Sequence, residues 1–217
     1  MTKIDFYFDP GCPWCWNASR WLKEVQKKEP IDITWKSFSL YIKNGNAMPK
    51  KHLGVMTSTY EMLRVIEAAR KKHGNDIVDA LYTEFGYQVH HKKDSSSRAI
   101  QDSLNKVCPK DAQELFESKS DESLDSAIKE SMKSAFAIVG EDVGVPIIVF
   151  HNKNKKVGYF GPVLSVAPVG GEALKLWSGI KNLAEYEHFF ELKRTRDEDA
   201  SLPTKTGEES SANICSI

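Results

Sequence analysis

Cys12 and Cys15 stand near the start of the chain with Pro13 and Trp14 between them. A thiol pair at this spacing can close into a disulfide and open again, so it can carry two electrons. What it does with them depends on where it sits. Ahead of it, Ile4, Phe6 and Phe8 share one face of a short strand pattern. Behind it, Trp14, Ala18, Trp21, Leu22 and Val25 recur at helical spacing and are expected to form one stripe. Pro13 suits a first helical position, where its missing N–H costs nothing. Cys12 then falls at the helix N-terminus, where unpaired N–H groups and the macrodipole favour an anion. Such a setting can lower a thiol pKa from about 8.5 to roughly 3.5–7.5. Cys15, one turn on, is within reach of a disulfide formed at Cys12. Two duller readings fall short. Zinc needs two further ligands, whereas Cys108 and Cys215 are isolated and His90-His91 lacks ligand spacing, so no metal site is expected. A purely structural disulfide across so short a loop would restrain the unfolded chain little.

The elements that must hold this pair can be read along the chain. Pro30 punctuates, and Ile31, Ile33 and Trp35 alternate as a second strand, completing a parallel βαβ unit. After a loop through Asn44-Gly45-Asn46, helical periodicity runs from about residue 50 to 139. Breaks are expected at Gly74-Asn75 and caps at Ser95 to Ser97, Pro109 and Asp121. Pro146 to Phe150 begins a new strand, Val157 to Phe160 returns from a turn, and a final helix follows Gly170-Gly171. The order βαβ, helical block, ββα predicts an α/β protein with a thioredoxin fold interrupted by an all-helical domain. Residues 1–49 and 140–196 are expected to form the thioredoxin-like domain and 50–139 the insertion. Residues 197–217, polar and rich in Ser and Glu, are expected to be a disordered tail.

Thirty basic residues balance thirty acidic ones in 217, so no net field points to nucleic acid or to an anionic membrane. No apolar run approaches the ~18 residues of a membrane span. The first strand begins almost at once, leaving no room for a secretory leader, so a cytoplasmic protein is expected. There, dithiols are held reduced, and a reductase or thiol exchanger is the expected trade.

Phe8-Asp9-Pro10-Gly11-Cys12-Pro13-Trp14-Cys15-Trp16 and Ser19-Arg20-Trp21 resemble the active-site block of the actinobacterial mycothiol-dependent nitroreductases, in the DsbA-like branch of the thioredoxin superfamily. Val139 to Gly144, Phe160 to Ser165 and His188 to Arg196 are similar to further blocks of that family, in the same order. The resemblance implies Cys12 as nucleophile forming a mixed disulfide with mycothiol, Cys15 as partner thiol, and Trp14 as a pocket wall. It implies no tightly bound cofactor, with mycothiol as co-substrate and a nitroaromatic, disulfide or other small acceptor as partner. Pro146 matches the superfamily's cis-proline facing the cysteines, whereas Val145 stands where the nitroreductases have threonine. The helical block matches only in pieces, which leaves the substrate open.

Other candidates have plain alternatives. Glu141 and Asp142 are placed either to move a proton near the buried thiol or to be solvated loop acids. His90 would line the pocket, bind an anionic part of a thiol, or sit in the core. Lys193, Arg194 and Arg196 read as a basic cluster at a helix end. Trp16, Trp21 and Cys108 read as core, and Cys215 as a free thiol in the tail. Besides the mycothiol-dependent enzyme, two readings stay open: a FrnE-like protein-disulfide reductase or isomerase, and a non-catalytic module that binds a peptide or thiol conjugate.

Overall fold

The computed structural model describes residues 1–152, 155–186 and 188–204. Cys215 lies outside them. Four strands form one sheet in the order β2-β1-β3-β4, with β1 Thr2–Phe8, β2 Ile31–Ser37, β3 Ile147–His151 and β4 Lys156–Phe160. β1 and β2 are parallel, Thr2 opposite Ile31 through Phe8 opposite Ser37; β3 runs antiparallel to β1, and β4 to β3. α1 (Pro13–Gln26) makes the crossover between the parallel strands, and α8 (Gly170–Glu185) follows β4. This is the pairing expected of a thioredoxin fold.

Between β2 and β3 the chain is helical: α2 (Leu40–Asn44), α3 (Lys50–His73), α4 (Asp76–Tyr87), α5 (Ser97–Val107), α6 (Ala112–Glu117) and α7 (Asp125–Val139), joined by single turns. Gly74 and Gly140 end α3 and α7 at φ of 82° and 84°, a conformation glycine adopts without strain. Ser96 caps α5, its hydroxyl accepting from Ala99 N–H. Two boundaries differ from expectation. Pro109 opens no helix; α6 begins three residues later. Asp121 caps the 3-10 turn Glu122–Leu124 rather than α7 itself, accepting from Ser123 N–H.

The helices share one buried cluster with the sheet. Tyr82 of α4 packs on Phe8 of β1 (4.1 Å between ring centroids) and on Trp35 of β2 (5.7 Å). α1 lies at the centre and is buried nearly all round, from Cys15 through Leu22 and at Val25. The expected single stripe is therefore too narrow: Trp14 lies at its rim, half-buried, while Asn17, Ser19 and Arg20 are buried. Each donates to a partner, although the Asn17 Oδ1 is buried without one among the described residues. Asn17 donates to the carbonyls of Leu164 and Ser165, Ser19 to that of Trp16, and Arg20 to Thr83 Oγ1.

α8 stops at Glu185, with Tyr186 in extended conformation (φ −93°, ψ 109°). Tyr159 and Asn152 side chains donate to the carbonyls of Leu183 and Ala184, satisfying the helix end. Lys193, Arg194 and Arg196 thus lie on an irregular segment beyond the helix, not at its end. The first eight residues of the expected disordered tail also depart from expectation, since Ser201 and Pro203 are hydrogen-bonded to the body. Among the described residues no helix is long and apolar enough to cross a membrane.

Candidate active site

The turn between β1 and α1 brings the chemistry together. Cys12 occupies the N-cap of α1 with extended backbone (φ −87°, ψ 113°), and Pro13 takes the first helical position. The Cys12 N–H donates to the Asp9 carbonyl (3.0 Å), and its own carbonyl accepts from Trp16 N–H (3.1 Å). Its thiol points to the carbonyl of Val145, 3.6 Å away. Val145 precedes Pro146 across a cis peptide bond, so the loop before β3 faces the cysteine. Cys12 keeps 4 % of its surface and Cys15 none. Burial pushes the Cys15 thiol well up, and the adjoining Cys12 thiol adds to that.

Asp9 is the residue that sequence reasoning passed over. It is fully buried at the end of β1, where one carboxylate oxygen accepts from Gly11 N–H (2.8 Å) and the other from Leu40 N–H (2.7 Å). Burial raises its pKa to about 6 against those bonds and one from Thr59. Its charge is felt at Cys15. The signal available was an acid at a strand end, three residues ahead of the first cysteine.

The other candidates fall in different places. Trp14 carries the Arg196 guanidinium over its ring at 5.4 Å. Trp16 and Trp21 are fully buried. His90 lies in the turn after α4, buried, with its ring 5.8 Å from that of Trp16. Desolvation, helped by Lys93 and His91, lowers its pKa to about 4. An imidazole held neutral offers no charge to an anion, so the anion-binding role expected of His90 does not follow from its position. Glu141 and Asp142 are exposed in the bend before Val145, and Lys43 reaches the backbone carbonyl of Glu141 rather than its carboxylate. Their exposure favours the solvated reading. Beside them, Ile42, Met132, Phe136 and Ala137 floor a groove of about 390 Å³ with Lys129 and Lys133 also in its wall.

A cysteine capping a helix, a buried partner one turn on and a proline loop against the first sulfur form a dithiol site. The family model described as mycothiol-dependent nitroreductase Rv2466c, of the Rv2466c-like proteins, matches residues 11–194. This chain belongs to that family. It is thus an oxidoreductase with a DsbA-like thioredoxin fold. The uncharacterized protein Rv2286c of Mycobacterium tuberculosis is 29% identical over 203 residues, 90% of this chain and 83% of that protein. Among solved structures, the cytosolic disulfide reductase DsbM from Pseudomonas aeruginosa superposes with a TM-score of 0.60 at 13% identity, covering 83% of this chain and 99% of that one. Its form with GSH gives 0.58 at 13% identity, covering 82% and 99%. The probable DsbA oxidoreductase SCO1869 from Streptomyces coelicolor gives 0.52 at 15%, covering 94% and 100%. At these identities the structural likeness is one of fold.

Proposed function

We propose that this chain is a cytoplasmic dithiol reductase in which Cys12 is the nucleophile, Cys15 the partner thiol and mycothiol the reductant, acting on nitroaromatic or other small acceptors. The observation that carries it is the unequal placement of two thiols on one helical turn, Cys12 at the cap against Val145 and Cys15 sealed below. The family's mycothiol dependence supports the choice of reductant, and DsbM seen with GSH supports a small thiol as partner.

With a disulfide acceptor, the Cys12 thiolate forms a bond to one sulfur and the other leaves as a thiolate. Asp9, ionised above a pH of about 6, takes the proton from Cys15. The Cys15 thiolate then attacks the Cys12 sulfur, closing the Cys12–Cys15 disulfide and releasing the second thiolate. Two mycothiol molecules reopen it and leave as their own disulfide. A nitro group would take the same two electrons and two protons, becoming nitroso and releasing water.

Mass spectrometry after incubation with oxidised mycothiol, beside oxidised glutathione, tests this reading. Cys15→Ser should hold a mycothiol mixed disulfide at Cys12, and Cys12→Ser should form none and turn over no acceptor. A first adduct at Cys15 or Cys108 would overturn the assignment. Equal trapping of glutathione would remove mycothiol as the preferred thiol.

A further inference from the structure

We infer that Arg196 makes this site selective for acceptors that carry an anionic group beside the bond to be reduced. The inference rests on the reductase reading above and adds the class of acceptor. Its basis is the path of residues 188–204. Leaving α8, this segment meets β4, where the Phe189 ring lies 5.7 Å from that of Tyr159 and the Phe189 carbonyl accepts from the Tyr159 hydroxyl. At its far end Ser165 Oγ donates to Glu198, Ser201 N–H donates to the Ser165 carbonyl (2.7 Å), and the Pro203 carbonyl accepts from Trp16 Nε1 (2.9 Å). Ser165 is itself held by Asn17 Nδ2 at 2.9 Å. The strap is therefore tied down on both sides of Arg196, and its far end is tied to the helix that bears the cysteines.

Between these ties the guanidinium lies over Trp14, the residue that separates Pro13 from Cys15. A flat cation is at home on an indole face and keeps its edge N–H groups for other partners. Arg196 is exposed, so its charge remains open to whatever approaches Cys12. Its neighbours in the strap are of both signs, Lys193 and Arg194 before it and Asp197, Glu198 and Asp199 after it, with Glu198 engaged by Ser165. Arg196 is the one of these that is seated on the CPWC turn. Mycothiol has no ionised group besides its thiol, so this cation selects the acceptor rather than the reductant.

Alkylation of Cys12 tests the local field without requiring turnover. In each case the thiolate forms a bond to the reagent carbon and iodide leaves; iodoacetate arrives charged and iodoacetamide neutral. In the reduced full chain, the iodoacetate-to-iodoacetamide rate ratio at the Cys12 peptide should fall roughly two- to fivefold on Arg196→Ala. Arg196→Lys should retain most of it, and about 0.5 M salt should erase the difference. The same ratio, read as reduction of glutathione disulfide against hydroxyethyl disulfide, should fall in parallel. A fall in both rates by one factor would mean that Arg196 merely holds the strap, and an unchanged ratio would mean that its charge is not felt at Cys12. Either overturns the inference. Failure of the native chain to reduce both disulfides, with the alkylation ratio shifted as expected, would overturn the reductase reading instead.

Discussion

Asp9 shows how one buried group can be tied to both stability and chemistry. Its carboxyl titrates near 6 in the folded chain, against 3.8 for an ordinary exposed aspartate. A carboxyl raised on folding favours the protonated native state, so its contribution is present at low pH and is lost as pH rises from about 4 to about 6. The loss is on the order of 3 kcal/mol if the unfolded group is unperturbed. Asp9→Asn removes the titration and leaves an oxygen able to accept one of the two backbone bonds. Urea unfolding of the reduced chain at pH 4 to 7 should show the native protein losing stability relative to the variant across that window. Resolution of a trapped mixed disulfide should also rise through about pH 6 in the native chain and lose that limb in the variant. Parallel stability curves would remove Asp9 from the titration.

At the scale of elements, α1 and α4 approach closely at Gly86 and Trp16. A Cβ built on Gly86 would lie 2.4 Å from Trp16 Cζ3 and 2.5 Å from Cε3, too close for either to stay. The Trp16 ring has no free side to yield to: Arg20 covers it at 4.4 Å, His90 and His91 flank it, and its Nε1 is bonded to Pro203. Gly86→Ala should cost roughly 1–3 kcal/mol, or more if the strap is displaced, although alanine is the better helix former. Thermal unfolding reads this directly; a neutral or stabilising result would mean that Trp16 has room to move. This packing also marks the limit of what could be read ahead of the structure. Alternation at Ile4, Phe6 and Phe8, and glycines at 74 and 140, are local signals, and the strands and helix ends followed from them. Cys12 at a cap with Pro13 behind it is equally local. Burial of Asn17 and Arg20 is not, because their partners arrive from residues 164–165 and 83. The titration of Asp9 and the neutral state of His90 likewise depend on desolvation by distant segments, which leaves no trace in spacing or composition.

For the whole molecule, the decisive feature is that sheet and helical block share one core. Tyr82 bridges Phe8 and Trp35, Phe38 meets Phe136 at 5.5 Å, and Tyr7 is hydrogen-bonded to Ser134 at 2.9 Å. Separating the block from the sheet would expose all of these together. Unfolding in urea should therefore be one transition, with tryptophan fluorescence and far-ultraviolet dichroism coincident within error. A second transition in either signal would mean that the helical block comes away first.

The tie between Trp16 and Pro203 has a practical side. Any truncation that reaches Pro203, or a bulky group introduced beside it, would disturb an anchor on the cysteine-bearing helix. The opposite end of the chain is safer ground. Thr2 begins β1 at the edge where its N–H meets the Pro30 carbonyl, whereas the cysteines follow the far end of that strand. Seven residues at about 3.3 Å each put roughly 20 Å between the two. Affinity handles, fluorophores and surface tethers for this enzyme belong on the amino-terminal side.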